Sequence, residues 1–137
     1  MSPVYRWVDH AAEIELSIEA PSEEAVFAEA LAALAELLTE RSSSRGEGER
    51  VTREVIASAP DRPTLLAEWI GELAYLAESD GVVPESLERF ELGPNALEAS
   101  VAGPRAWPPH LVKAVTYHRL EMGEEGATWR ARVILDV

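Results

Sequence analysis

Cysteine is absent from this 137-residue chain, which excludes thiolate metal centres, thiol nucleophiles and any disulfide framework. Lysine is almost absent. Eleven of the 12 basic residues are arginine, and Lys113 carries the single side-chain ammonium. Long apolar runs are missing too: the most apolar window, Ala30 to Leu38, is interrupted by Glu36 and is too short to span a bilayer. Met1-Ser2-Pro3-Val4-Tyr5-Arg6 contains no signal-peptide-type apolar stretch, so a cytosolic (cytoplasmic) protein without membrane attachment is expected. No glycine-rich phosphate loop, nucleotide fingerprint or Ser/His/Asp order is present. His10, His110 and His118 do not have a zinc spacing.

What the chain does have is acid. Twenty-five acidic against 12 basic residues give a net charge of −13, which argues against stable direct binding of nucleic acid, since phosphate contacts need a cationic face. The same charge suits a protein that meets cations or a basic protein surface. Hydrophobic residues at 47% and charged residues at 27% place the chain in the ordinary globular class, at the length of one domain spanning 1–137.

The pattern along the chain predicts an α+β fold. Val4 to Val8 reads as a strand, followed by an acidic turn from Asp9 to Glu13. Ile14, Leu16 and Ile18 alternate with Glu15, Ser17 and Glu19, the mark of a half-buried strand. Ser22 is an N-cap candidate with Glu23 and Glu24 suited to the helix dipole, and Phe27, Leu31, Leu34 and Leu38 recur at helical spacing. Glu40 to Arg50 reads as a loop and Val51 to Ala57 as a strand. Asp61-Arg62-Pro63 opens a second helix, whose buried stripe is Leu66, Trp69, Ile70, Leu73, Leu76 and Ala77 and which ends at Asp80-Gly81. Two hairpins follow, the first turning at Gly93-Pro94-Asn95 and the second at Gly123 to Gly126. Between them, Gly103 to Pro109 is expected to be loop. The order implies a mixed or antiparallel sheet with two helices packed on one face.

Asp9 and Glu13 precede the second strand, and Asp136 and the Val137 α-carboxylate close the last. These four carboxylates converge if the first and last strands end together, and oxygen-only ligands suit Ca²⁺ or Mg²⁺. On spacing alone a solvated acidic face is the ordinary alternative. Lys113 lies in Val112-Lys113-Ala114-Val115-Thr116-Tyr117-His118, where alternation places it beside Val115 and Tyr117. It reads either as a point charge for carboxylate or phosphate or as a surface stem with its head in water.

Three stretches resemble the archease family. Asp9-His10-Ala11-Ala12-Glu13 is similar to that family's Asp-His-Thr-Ala-Asp signature, the segment Val112 to His118 matches its late motif residue for residue, and Val133-Ile134-Leu135-Asp136-Val137 matches its ending on a strand-terminal Asp. Leu65 to Ile70 also fits. The resemblance covers essentially the whole chain and implies a strand–helix–strand–strand type unit. It implies a non-enzymatic protein that activates an RtcB-type RNA ligase in tRNA splicing and RNA repair, promoting guanylylation of the ligase histidine and multiple turnover. It further implies a bound Ca²⁺, or another hard divalent cation, held by Glu13, Asp136 and Val137, with Lys113, Asp9 and His10 serving partner activation. Two positions depart from the family pattern: Glu13 is one methylene longer than Asp, and Ala11 lacks the threonine hydroxyl. Two other readings stand beside this one. A small metal-dependent phosphoester hydrolase would use Asp9, Glu13 and Asp136 as ligands, and a general protein-binding chaperone would act on unrelated clients.

Overall fold

The computed structural model describes residues 2–10, 13–41, 49–106 and 112–137. Ala11, Ala12, the serine-rich stretch 42–48, and 107–111 with His110 lie outside the described residues. The elements in chain order are β1 (Val4–His10), β2 (Glu13–Ala20), α1 (Glu23–Arg41), β3 (Arg50–Ser58), α2 (Arg62–Asp80), β4 (Ser86–Leu92), β5 (Ala96–Pro104), β6 (Ala114–Glu125) and β7 (Thr128–Asp136). This is the α+β order expected. The strands divide, however, into two antiparallel sheets, one ordered β1-β2-β7-β6 and one ordered β3-β5-β4.

Local chemistry accounts for the helix boundaries. The Ser22 hydroxyl accepts from the Ala25 N–H at 3.2 Å, satisfying one of the free donors at the start of α1. The Asp61 carboxylate accepts from the Thr64 N–H at 2.9 Å, Pro63 occupies the first turn, and Gly81 ends α2 in the left-handed region at φ 63°, which glycine enters without a Cβ clash. Arg62 ties α2 to α1 and to the β4–β5 turn: it pairs with Glu23 at 3.0 Å and donates to the Gly93 carbonyl at 2.8 Å.

The two helices pack on each other, and each touches both sheets, α1 through β2 and β4 and α2 through β6 and β3. Ile14, Leu16 and Ile18 of β2 and Val133 and Leu135 of β7 are buried beneath this layer. At its centre the Trp69 indole N–H donates to the Phe27 carbonyl at 3.0 Å. The Trp69 ring lies 6.5 Å from that of Phe27 and 5.6 Å from that of Phe90, so α1, α2 and β4 share one aromatic cluster.

Three boundaries differ from the sequence expectation. Asp9 and His10 belong to β1 and Glu13 opens β2, so the acidic segment is mostly strand. Gly103 and Pro104 lie in β5, paired with Val51 and Arg50. Pro104 lacks a donor, but its carbonyl accepts from the Val83 N–H at 3.0 Å. A Cβ on Gly103 would stand 1.7 Å from the Val83 oxygen, so only glycine admits that approach. Finally, β6 begins at Ala114 and runs to Glu125, leaving Gly126-Ala127 as a two-residue turn with Gly126 at φ 63°.

Candidate functional site

Antiparallel pairing brings the ends of four strands to one edge of the larger sheet. Glu13 is the direct partner of Asp136, His10 of Glu13, and Ala114 of Asp136. Directly paired residues project from the same side of a sheet. Ile14 and Leu135, the next pair along, are buried under the helices, so Glu13 and Asp136 project together from the side away from them. Both are half-buried. Among the described residues neither carboxylate is in an ion pair or a side-chain hydrogen bond. Arg132, the arginine of β7 two pairs away on that side, is already bonded to Glu121 at 2.6 Å.

Lys113 reaches the same corner by its backbone. Its N–H donates to the Asp136 carbonyl at 2.8 Å, pinning the one lysine to the end of β7. Its exposed side chain lies on the helix side, where it lines a groove of about 200 Å³ with Gly71, Ala74, Tyr75 and Glu78. Asp9 also falls on the helix side, as the register partner of Ile14. It stands on β1 while Lys113 leads into β6, three strand spacings apart or about 14 Å. Val137 packs its side chain against the core, which fixes the chain immediately after Asp136.

The structure therefore joins Glu13 to Asp136, sets Val137 next to them and Lys113 on the reverse side, and keeps Asp9 apart. Among the described residues no group of three or more His, Cys, Asp and Glu is placed to hold a metal ion, so the Asp9–Glu13–Asp136 ligand set of the hydrolase reading is not assembled. The paired carboxylates do fit a hard divalent cation: both offer oxygen alone, and like charges directly opposite one another oppose strand pairing unless a cation lies between them.

The expected alternation through Lys113, Val115 and Tyr117 breaks beyond Thr116. Thr116 pairs with Ile134, but the next pair is Glu121 with Arg132, so β6 leaves the β7 ladder over residues 117–120. Arg119 sits in the left-handed region at φ 58°, unusual for a side chain with a Cβ. Tyr117 in this stretch donates to Glu68 of α2 at 2.6 Å; that bond, then burial, pushes its phenol above the ordinary range. Neither this contact nor the groove beside Lys113 was foreseen from sequence. Gly71, a glycine inside a helix, was the available signal for the groove.

The model of the archease protein family matches residues 5–137. The chain belongs to the archease family. Among curated relatives, the protein archease of Methanosarcina mazei is 32% identical, with 97% of this chain and 95% of that one covered. The protein archease of Methanopyrus kandleri is 28% identical, with 95% and 96% covered. The solution structure of Methanobacterium thermoautotrophicum protein 1598 matches with a TM-score of 0.65 at 25% identity, covering 97% of this chain and 98% of that one. A crystal structure of a Thermotoga maritima archease, described as a possible chaperone, matches in fold with a TM-score of 0.64 at 22% identity, covering 95% and 94%. The archease fold thus accounts for both sheets and both helices. Among the described residues no helix is long and apolar enough to cross a membrane.

Proposed function

We propose that this archease-family protein is a non-enzymatic activator of an RtcB-type RNA ligase, acting in the cytoplasm to promote guanylylation of the ligase histidine and repeated turnover in tRNA splicing and RNA repair. The observation that carries the reading is the corner at the ends of β2, β6 and β7. There the only lysine is tied through its N–H to Asp136 at 2.8 Å, and Asp136 is the register partner of Glu13. Glu13, Asp136 and the Val137 carboxylate hold a hard divalent cation, with Ca²⁺ favoured by the oxygen-only donors. Such an ion neutralises the opposed carboxylates and stiffens the strand ends from which Lys113 projects. Lys113 supplies a compact ammonium for a phosphate or carboxylate of the partner, a role that the planar arginine fork does not reproduce. Asp9, on the helix side of the sheet with Lys113, and His10, the register partner of Glu13, serve partner activation from the end of β1.

The test is RNA ligation under multiple turnover by an RtcB-type ligase, with and without this protein. Wild type is expected to raise turnover, and Lys113→Ala and Asp136→Asn to lose the stimulation while remaining folded. Absence of stimulation by wild type with the ligase of the same genome would overturn the reading. Electrostatic attraction between this acidic chain and a basic partner predicts that stimulation falls steeply as salt rises. A C-terminal extension is expected to weaken Ca²⁺ binding and leave the fold intact. A general chaperone role is suggested by the description of the Thermotoga maritima relative; protection of clients unrelated to RNA ligation would favour it.

A further inference from the structure

We infer that the groove between α2 and β3, capped by Tyr75 and Ile56, is the docking surface for a cationic segment of the partner protein, an apolar side chain flanked by arginine or lysine. Tyr75 and Ile56 are each 66% exposed and line one groove of about 310 Å³, with half-buried Leu76 and buried Val55 behind them. Solitary exposed apolar side chains are common on protein surfaces. Two that flank one groove form the apolar centre of an interface. Ile56 is also out of pattern, since the other outward positions of β3 are Arg50, Thr52, Glu54 and Ser58, all polar.

Charge decides what this surface accepts. Past Arg62, α2 carries Glu68, Glu72, Glu78 and Asp80 and no cation. Glu68 and Glu72 are four residues apart, a spacing at which like charges face each other and oppose the helix. Asp80 is held by Arg53 at 3.1 Å, and Glu54, at the rim, is held by Ser100 and Arg89. Glu72, beside Tyr75, has no ion pair among the described residues. A second copy of this chain docked symmetrically would set Glu72 near its own equivalent, and nucleic acid would bring phosphates to carboxylates. A basic protein segment meets neither penalty.

Tyr75 is also a wall of the groove that holds Lys113 and Glu78. A partner seated on Tyr75 is thereby placed alongside Lys113, so this inference rests on the ligase reading and assigns it a contact face away from the carboxylate pair. The experiment measures the affinity of an RtcB-type ligase for wild type, for the double variant Tyr75→Ser/Ile56→Ser and for Glu72→Arg, at two salt concentrations. The double variant is expected to unfold at the same temperature as wild type and to bind roughly tenfold more weakly or worse. Its stimulation should return at raised concentration, because Lys113 is intact. Glu72→Arg should slow association and flatten the salt dependence. Double-variant binding within about twofold of wild type, with stimulation retained, would overturn the docking face and leave the activator reading standing. Failure of wild type itself to bind or stimulate would overturn both. Dimerisation of the free protein that the double variant abolishes would assign the face to a second copy.

Discussion

Each sheet of this protein contains a pair of like charges set directly opposite one another, and the two pairs are treated differently. In the smaller sheet Glu91 faces Glu98, and Arg89 bonds Glu91 while reaching Glu54 at 2.7 Å. The repulsion is answered by a guanidinium on the next outward position of the same strand. In the larger sheet Glu13 faces Asp136, and among the described residues no protein cation answers it. The contrast separates a charge ladder that serves stability from a carboxylate pair that the fold alone does not explain. Arginine is abundant on this sheet, so its distance from Glu13 and Asp136 is informative.

The largest expected effect tests whether the smaller sheet serves only as support. Gly103→Ala drives a Cβ into the Val83 carbonyl and should cost about 3 kcal/mol, at the upper end of overpacking effects, by denaturant unfolding. The Ca²⁺ response of whatever remains folded should persist, because Glu13 and Asp136 lie in the other sheet. Next in size, Ca²⁺ at about a hundred times its dissociation constant should stabilise wild type by about 2.7 kcal/mol. Asp136→Asn should abolish that gain in the same thermal titration, and a gain of equal size in the variant would remove Asp136 from the ligand set.

Without added metal the two pairs should answer neutralisation in opposite ways. Asp136→Asn should stabilise by about 0.5 kcal/mol through relief of repulsion, whereas Glu98→Gln, beside Arg89, should give no gain. Equal gains at both sites would erase the distinction. The smallest effect concerns pH. A hydrogen bond from Ser100, then one from Arg89, holds the Glu54 carboxyl below its ordinary range. A depressed folded-state value contributes stability above the ordinary glutamate range and loses it as pH falls through the folded value. Ser100→Ala should therefore flatten the acid limb of stability against pH, measured by unfolding from neutral to acid.

Residues whose signal is local were legible in the sequence. The alternation of Ile14, Leu16 and Ile18 reports a strand with one face in the core, and Ser22, Asp61 and Gly81 report helix ends because each satisfies or releases a backbone group beside it. Gly103 and Pro104 misled, since their composition suggests loop while their pairing with Val51 and Arg50 is set by residues far along the chain. The division into two sheets was invisible for the same reason. Of the candidate site, the resemblance to archeases pointed to Glu13, Asp136 and Lys113, and strand register supplies their neighbourhood. It sets Asp9 on the other side of the sheet, a consequence of β1 extending to His10 where a turn was expected. The break in the ladder after Thr116 gave no sequence cue, because Arg119 in the left-handed region lacks the usual glycine or asparagine.

β7 lies between β2 and β6 although it follows both in the chain. During synthesis β1 and β2 emerge early, and one edge of β2 stays unpaired until the last strand inserts. The Glu13–Asp136 pair and the anchored Lys113 both require β7 in place. A truncated or half-folded chain presents neither, so a partner that reads this corner distinguishes finished molecules from unfinished ones without any separate checkpoint.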